Sequence, residues 1–223
     1  MRPTLPAILS FNAGYVDTAG FLSLQGLFTA HVTGNFVTFG AAVALGTTGA
    51  VAKLLALPVF CLVVIGVRLL AYGLQGAGVP VLRAMFILKL LLLTAGAALA
   101  IRLGPFPDGD AWPAIVTGMV LVAAMAIQNA VHRIHLANAP PTTLMTGTTT
   151  QIMIDLADLL RGVGTDAAGA ARSRLARMSA AVIAFAIGCG SAALAYVLLK
   201  EWCFAAPPAI ALVSTLLSGP ERA

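Results

Sequence analysis

Charged side chains are scarce in this chain. Asp, Glu, Lys and Arg make up 9% of its 223 residues, and 60% of the residues are hydrophobic. Soluble domains carry about 25% charged residues, and the mean hydropathy here is +0.97. The composition excludes an ordinary soluble domain and predicts an all-α polytopic membrane protein, because helices satisfy their own backbone hydrogen bonds in lipid.

Cysteine is also rare, and its spacing carries no metal or redox motif. Cys61, Cys189 and Cys203 lie far apart, within or beside apolar runs, as small buried hydrophobic residues do. His132 and His135 are close in sequence, but no carboxylate or cysteine lies near them, so we expect no metal site.

Motifs of enzymes and of nucleic-acid-binding proteins are missing as well. The chain has no nucleophile paired with a base, no zinc signature and no phosphate-binding loop, so we expect neither an enzyme nor a cofactor. The 13 Lys and Arg exceed the 8 Asp and Glu, but no basic stripe interleaved with aromatic residues exists to bind phosphates. We expect no nucleic-acid partner.

What the chain does have is a repeated polar interruption of its apolar runs. Residues 29–35 read Thr-Ala-His-Val-Thr-Gly-Asn, and residues 142–148 read Thr-Thr-Leu-Met-Thr-Gly-Thr. The shared pattern predicts one membrane domain over residues 1–223, built from two internal repeats at about 6–101 and 113–217.

Each repeat is predicted to hold three long transmembrane helices and one short broken or re-entrant helix. A span needs about 20 apolar residues to cross about 30 Å of hydrocarbon. The long spans are residues 6–28, 51–72, 85–101, 113–131, 178–199 and 203–217, and the short segments are 33–45 and 145–160. Re-entrant short segments give six passes and inverted repeats, whereas crossing ones give eight passes and parallel repeats. Segment length favours six.

Lysine and arginine orient the chain in the membrane, because cytoplasmic loops are enriched in these residues. Both the six-pass and the eight-pass arrangements leave most of them on the side of the arginine-rich loop 161–177. We therefore expect this loop and both termini to be cytoplasmic.

The two polar interruptions, here called the first break (residues 29–35) and the second break (residues 142–148), are the leading candidates for a site. Gly34 and Gly147 permit backbone shapes that other residues avoid, and Thr33 and Thr146 offer hydroxyls. Irregular backbone at membrane depth is tolerated only beside protein or water. We predict that the two breaks meet near the midplane and line a cavity; the alternative is a pair of simple turns.

Asp17 falls within the first predicted span and has two interpretations. One is a stabilising ion pair with Lys89, which offsets the cost of placing each charge in lipid. The other is a coupling-ion or proton site. Helical geometry places Gly14 and Phe21 on the face of Asp17.

Further polar faces lie in the second half. Thr148, Gln151, Asp155 and Asp158 share one helical face, and residues 128–133 end a span with polar side chains. The candidate solute-binding residues are Asp17, His31, Thr33, Gly34, Asn35, Gln128, Asn129, Thr146, Gly147 and Gln151.

The chain resembles the YoaK-like family of bacterial membrane proteins, which has no assigned function. The family commonly carries an arginine just before the second Thr-Thr pair, whereas this chain has Pro140 and Pro141. The resemblance implies an inner-membrane protein of about six passes. It rests on residues 14–17, 20–21, 31–35, 128–130, Arg133 and 142–148.

The sequence favours a small secondary transporter or permease. Its expected partners are the lipid bilayer and an unidentified small solute, with a proton as the candidate coupling ion. A non-transporting membrane scaffold is the alternative. The sequence does not determine the oligomeric state.

Overall fold

The fold is an all-α bundle. A computed structural model describes residues 5–162 and 164–218, and this part of the chain contains no strand. The helices are α1 (Leu5–Ser23), α2 (Asn35–Leu45), α3 (Ala50–Gly76), α4 (Val81–Leu103), α5 (Trp112–His135), α6 (Met145–Arg161), α7 (Thr165–Leu199) and α8 (Ala206–Leu217). Single 3-10 segments, Val32–Gly34 and Lys200–Ala205, precede α2 and α8.

Among the described residues, four helical stretches are long and apolar enough to cross a membrane, which confirms the helical membrane class. They are Ala50–Gly76, Val81–Leu103, Trp112–His135 and Thr165–Leu217. One predicted boundary is wrong, because α7 already begins at Thr165, inside the stretch expected to be a loop. Alanine and arginine dominate that stretch, and their high helix propensity outweighs the single Gly169.

The last predicted span, residues 203–217, is not one continuous α-helix. Residues 200–205 form a 3-10 segment, and α8 begins only at Ala206. Pro207 and Pro208 stand in the first turn of α8, where proline's missing N–H costs no hydrogen bond.

The closest helix contact joins α1 to α7. A Cβ added at Gly14 would lie 2.2 Å from the carbonyl oxygen of Phe185, and one at Gly188 would lie 2.1 Å from that of Phe11. Only glycine fits at this crossing. Elsewhere α5 packs on α3 and α4, α4 on α8, α2 on α3 and α6 on α7.

Loop hydrogen bonds define two ends of the bundle. Asp110, just before α5, accepts from the backbone N–H groups of Gly49 and Val51, which begin α3. Gln25, just after α1, donates to the Phe106 carbonyl in the same region. We call this the Gln25 end. The opposite end, where α5 finishes, is the His135 end.

Candidate functional site

The first break folds back against the helix that precedes it. The chain reverses at Gln25 and Gly26, whose φ angles are 53° and 82°, a left-handed region that favours glycine. It then returns into the bundle as the 3-10 turn Val32–Gly34 before α2 leads back to the Gln25 end.

Asp17 binds the first break through hydrogen bonds. Its Oδ1 accepts from the backbone N–H groups of Thr29 and Ala30, both at 2.7 Å, and from the Thr29 hydroxyl at 3.3 Å. Its Oδ2 lies 2.7 Å from Nδ1 of His31. The carboxylate thus accepts hydrogen bonds from backbone N–H groups that the helix break leaves unpaired.

Asn35 closes the same loop from its other side. Its Oδ1 accepts from the Phe28 N–H at 2.9 Å, and its Nδ2 donates to the Phe28 carbonyl at 2.7 Å. Because Asn35 is buried and both its polar groups are used internally, it shapes the loop and does not face a solute.

An aromatic groove opens beside the Asp17–His31 pair, with a volume of about 550 Å³. The His31 ring lies edge-on to Phe185, with centroids 5.4 Å apart, and the Phe21 ring packs against Phe28 at a tilt of 43°, with centroids 4.9 Å apart. Of the pair, Asp17 is buried, whereas the His31 side chain is 33% exposed. The groove is lined by Asp17, Thr18, Phe21, Phe28, His31, Thr33, Gly34, Phe185 and Cys189.

The second break is held by amides instead of a carboxylate. Gln128 Nε2 donates to the Thr142 hydroxyl at 3.1 Å and to the Leu9 carbonyl at 3.0 Å. The Thr143 hydroxyl donates to Asn129 Oδ1 at 2.7 Å. The buried ammonium of Lys89 donates to Gln128 Oε1.

The two breaks do not meet, so the prediction of a shared midplane cavity is wrong. The first break contacts Asp17 on α1, whereas Gln128 of the second site contacts Leu9 of the same helix. A rise of 1.5 Å per residue separates those two positions by about 12 Å. The breaks follow the opposite ends of the antiparallel helices α1 and α5, and each is held by its own helix.

Of the two interpretations of Asp17, the ion pair with Lys89 is wrong. Asp17 pairs with His31, and Lys89 pairs with Gln128. Lys89 lies near the depth of Leu9, beyond reach of the Asp17 carboxylate, as the spacing along α1 requires.

The remaining predicted residues of the second break face away from the groove. Thr146 and Gly147 are exposed, and a Cβ at Gly147 would meet nothing within 4 Å. Gln151 donates to Asp155 at 2.9 Å on the face that packs against α7. These three residues therefore do not join Asp17 and His31.

Asp155 anchors α6 to α7 through Arg174. Arg174 Nε donates to Asp155 Oδ2 at 2.8 Å, and Nη2 donates to Oδ1. The hydrogen bond from Arg174 lowers the pKa of the Asp155 carboxyl below its usual value, burial opposes that shift, and Gln151 adds to it. The polar stripe predicted on α6 is a structural contact.

No local pattern in the sequence predicts the wall of the groove that α7 contributes. Phe185 and Cys189 lie on α7, far from the first break in sequence, and reach it only because Gly14 and Gly188 let α1 and α7 touch. Phe21 was placed on the Asp17 face by helical periodicity, and it does line the groove.

The helices are apolar and satisfy their own backbone hydrogen bonds, and carboxylate and amide side chains bind the two breaks between them. This combination defines an integral membrane protein. The chain belongs to the family described as "Protein of unknown function (DUF1275)", whose model matches residues 5–217. It is similar to the UPF0700 transmembrane protein YoaK of Bacillus subtilis (strain 168), with 50% identity over 42 residues. That match covers 19% of this chain and 19% of the relative. No solved structure matches the chain. The resemblance to the YoaK-like family is confirmed.

Proposed function

We propose that this protein is a small secondary transporter whose solute site is the Asp17–His31 groove. The observation that carries the proposal is the groove itself. An apolar aromatic wall with a few fixed polar groups is the usual composition of small-molecule sites, and broken helices mark the sites of many transporters.

An internal inverted repeat supports the proposal. A second groove, of about 440 Å³, is lined by Asn129, Ala130, Arg133, Leu144, Phe60 and Val64 together with Arg68 and Ile134. Residues of the two grooves correspond at a constant difference in residue number: Asp17, Thr18 and Phe21 correspond to Asn129, Ala130 and Arg133. At a second constant difference, Phe185 and Cys189 correspond to Phe60 and Val64. Equivalent positions thus build both grooves.

The helix contacts pair up in the same way. The α1–α7 contact matches that of α5 with α3, α2–α3 matches α6–α7, and α4–α5 matches α8–α1. Because α1 and α5 run in opposite directions, the proposed repeats are inverted. Inverted repeats allow a transporter to open alternately towards either side.

The chain would cross the membrane six times, with both short helices re-entrant. The 11 residues of α2 span about 16 Å, too little for about 30 Å of hydrocarbon. The 17 residues of α6 follow the second break back towards the start of α7. The first break then opens at the Gln25 end and the second at the His135 end.

The charges orient this arrangement in a bacterial inner membrane. The His135 end is richer in arginine, so it is the cytoplasmic side and holds both termini. It carries Arg83, Arg133, Arg161, Arg172, Arg174 and Arg177, against Lys53, Arg102 and Lys200 at the Gln25 end. The Asp17–His31 groove then faces outwards.

The groove chemistry indicates the kind of solute. In the imidazole tautomer whose Nδ1 donates to Asp17, Nε2 of His31 can accept a hydrogen bond from a solute. Three phenylalanine rings surround it. A small, largely apolar or aromatic solute with one N–H or O–H donor fits this lining, and the Asp17–His31 pair is the candidate element for proton coupling.

A flux screen in proteoliposomes tests the proposal. Small aromatic solutes bearing an amine or hydroxyl are offered with and without a proton gradient, using wild type, His31→Leu and the exposed control Phe36→Leu. His31→Leu reproduces the residue found at the equivalent position of the second half, Leu144. We expect uptake by wild type and the control and a loss of at least about tenfold in His31→Leu. Equal flux in all three, or flux no greater than that of empty liposomes, contradicts transport through this groove.

A non-transporting scaffold is the second candidate, and one observation favours it. Between the two grooves the bundle is filled by fully buried side chains such as Val16, Leu121 and Met125. A scaffold would show no flux for any solute in the screen.

A further inference from the structure

A polar cavity lies at the His135 end, between the end of α5, the second break and α7, and it shares Asn129, Arg133 and Leu144 with the second groove. Its volume is about 370 Å³. The lining residues are Asn129, His132, Arg133, Ala137, Asn138, Ala139, Pro140, Pro141, Thr143, Leu144, Arg174, Arg177 and Met178. The set holds three arginines and no aspartate or glutamate.

Two of those arginines lack an acidic partner. Arg174 is bound by Asp155, which lies outside the lining. Within residues 5–162 and 164–218, neither Arg133 nor Arg177 forms an ion pair with a carboxylate. The cavity therefore carries positive charge that no carboxylate of the described residues pairs with, and this charge attracts anions.

A buried, unpartnered histidine supplies the second observation. His132 is 9% exposed, lines the cavity, and its Nδ1 has no hydrogen-bond partner among the described residues. Buried polar groups are normally hydrogen-bonded. The Asn138 amide and the Thr143 hydroxyl line the same space, so neutral hydrogen-bonding groups stand beside the two guanidinium groups.

We infer that this cavity binds a phosphate-type oxyanion through Arg133 and Arg177. Guanidinium forks match the paired oxygens of phosphate. Basic pockets between transmembrane helices on the cytoplasmic side suit anionic lipid headgroups, and the same donors would take free phosphate. The inference does not depend on transport through the Asp17–His31 groove.

The site has no counterpart in the first half of the chain. The position equivalent to Arg133 is Phe21, and the position equivalent to Asn129 is Asp17, which carries the opposite charge. An anion that binds beside Arg133 would be repelled by the carboxylate of the other groove. The two grooves thus differ in the charge they select.

Two binding arms identify the source of the anion. Full-length protein in zwitterionic detergent is titrated with inorganic phosphate by calorimetry. The same protein in nanodiscs of phosphatidylcholine containing phosphatidylglycerol is examined by native mass spectrometry for retained lipid. The variants are Arg133→Gln, Arg177→Gln and their combination. Arg172→Gln is the control, because Arg172 is an exposed arginine of α7 outside the lining.

We expect wild type and Arg172→Gln to bind in at least one arm, with affinity or lipid retention reduced at least about tenfold in the double variant. Binding only in the nanodisc arm identifies a lipid headgroup, and binding in the calorimetric arm identifies free phosphate. If the double variant does not fold, the two single variants are compared with wild type, and we expect affinity or lipid retention to be reduced in each. Absence of binding in both arms, or equal binding by wild type and the cavity variants, overturns the inference.

Discussion

Asp17 Oδ2 lies 2.7 Å from His31 Nδ1, and the other oxygen of the same carboxylate accepts two backbone N–H groups of the first break. One buried side chain therefore both fixes the irregular backbone and orients the imidazole that faces the groove. Stability and site geometry are coupled at this position.

Replacing the carboxylate by an amide separates those two roles. Asp17→Asn keeps an oxygen for the backbone N–H groups but removes the acceptor for His31. We expect the free energy of unfolding to fall by about 1.5–3 kcal/mol, the range for a hydrogen bond to a charged group. Thermal unfolding in detergent measures this, with exposed Asp166→Asn as the control. An Asp17→Asn protein as stable as wild type would show that neither the negative charge of Asp17 nor its bond to His31 stabilises the break.

The α1–α7 crossing gives a matched pair of glycine substitutions. Gly188→Ala places a Cβ against the Phe11 backbone, and we expect it to cost at least about 1–3 kcal/mol, as overpacking does. Gly190→Ala on the same helix meets nothing within 4 Å, and its higher helix propensity should be neutral or stabilising. Melting temperatures in detergent compare the two. Equal temperatures would contradict the close approach of the helices.

Lys89 and Gln128 form a buried pair that a double-mutant cycle can dissect. Gln128→Leu removes the acceptor of the Lys89 ammonium and a hydrogen-bond partner of the Thr142 hydroxyl, and we expect it to cost about 1.5–3 kcal/mol, the range for a hydrogen bond to a charged group. Lys89→Met removes the buried charge and leaves only the neutral Gln128 oxygen unpaired, so it should cost less. We therefore expect Lys89→Met to rescue much of the loss in Gln128→Leu. Strictly additive effects on unfolding would mean that the pair does not interact.

The contact between α6 and α7 should weaken in acid. The bond from Arg174 lowers the pKa of Asp155, so its stabilisation is complete above the usual aspartate pKa of about 3.9 and is lost as pH falls through the lowered value. Spin labels at Thr149→Cys and Ala167→Cys, in a background without native cysteines, report the separation of the helices. We expect it to widen at low pH in the parent protein and to be wide already near neutral pH with Arg174→Gln. A pH-independent separation in the parent protein would contradict the assignment.

The sequence predicted the helical membrane class and the positions of the two breaks because both depend on local chemistry. Apolar runs and Thr-Gly interruptions are visible within a few residues of one another, and periodicity placed Phe21 beside Asp17. The prediction that the two breaks meet near the midplane is wrong. Each break is tied to its own preceding helix by hydrogen bonds that cross 12 to 14 positions, and no periodic pattern reveals those partners.

Phe185 shows the same limit for the groove. It belongs to α7, and its place opposite His31 depends on two glycines on different helices meeting at one crossing. Such long-range packing is decided by shape, which a single sequence records only indirectly.

The proposed inverted-repeat transporter requires the two breaks to open to opposite sides of the membrane. Thr47→Cys, beside the first short helix, and Asn138→Cys, beside the second break, are exposed positions that can be introduced singly into a background without native cysteines. Intact cells are then treated with a membrane-impermeant thiol reagent. The inverted six-pass arrangement predicts that Thr47→Cys is labelled in intact cells and Asn138→Cys only after the membrane is permeabilised. Labelling of Asn138→Cys but not Thr47→Cys in intact cells, which the parallel eight-pass arrangement requires, would contradict it.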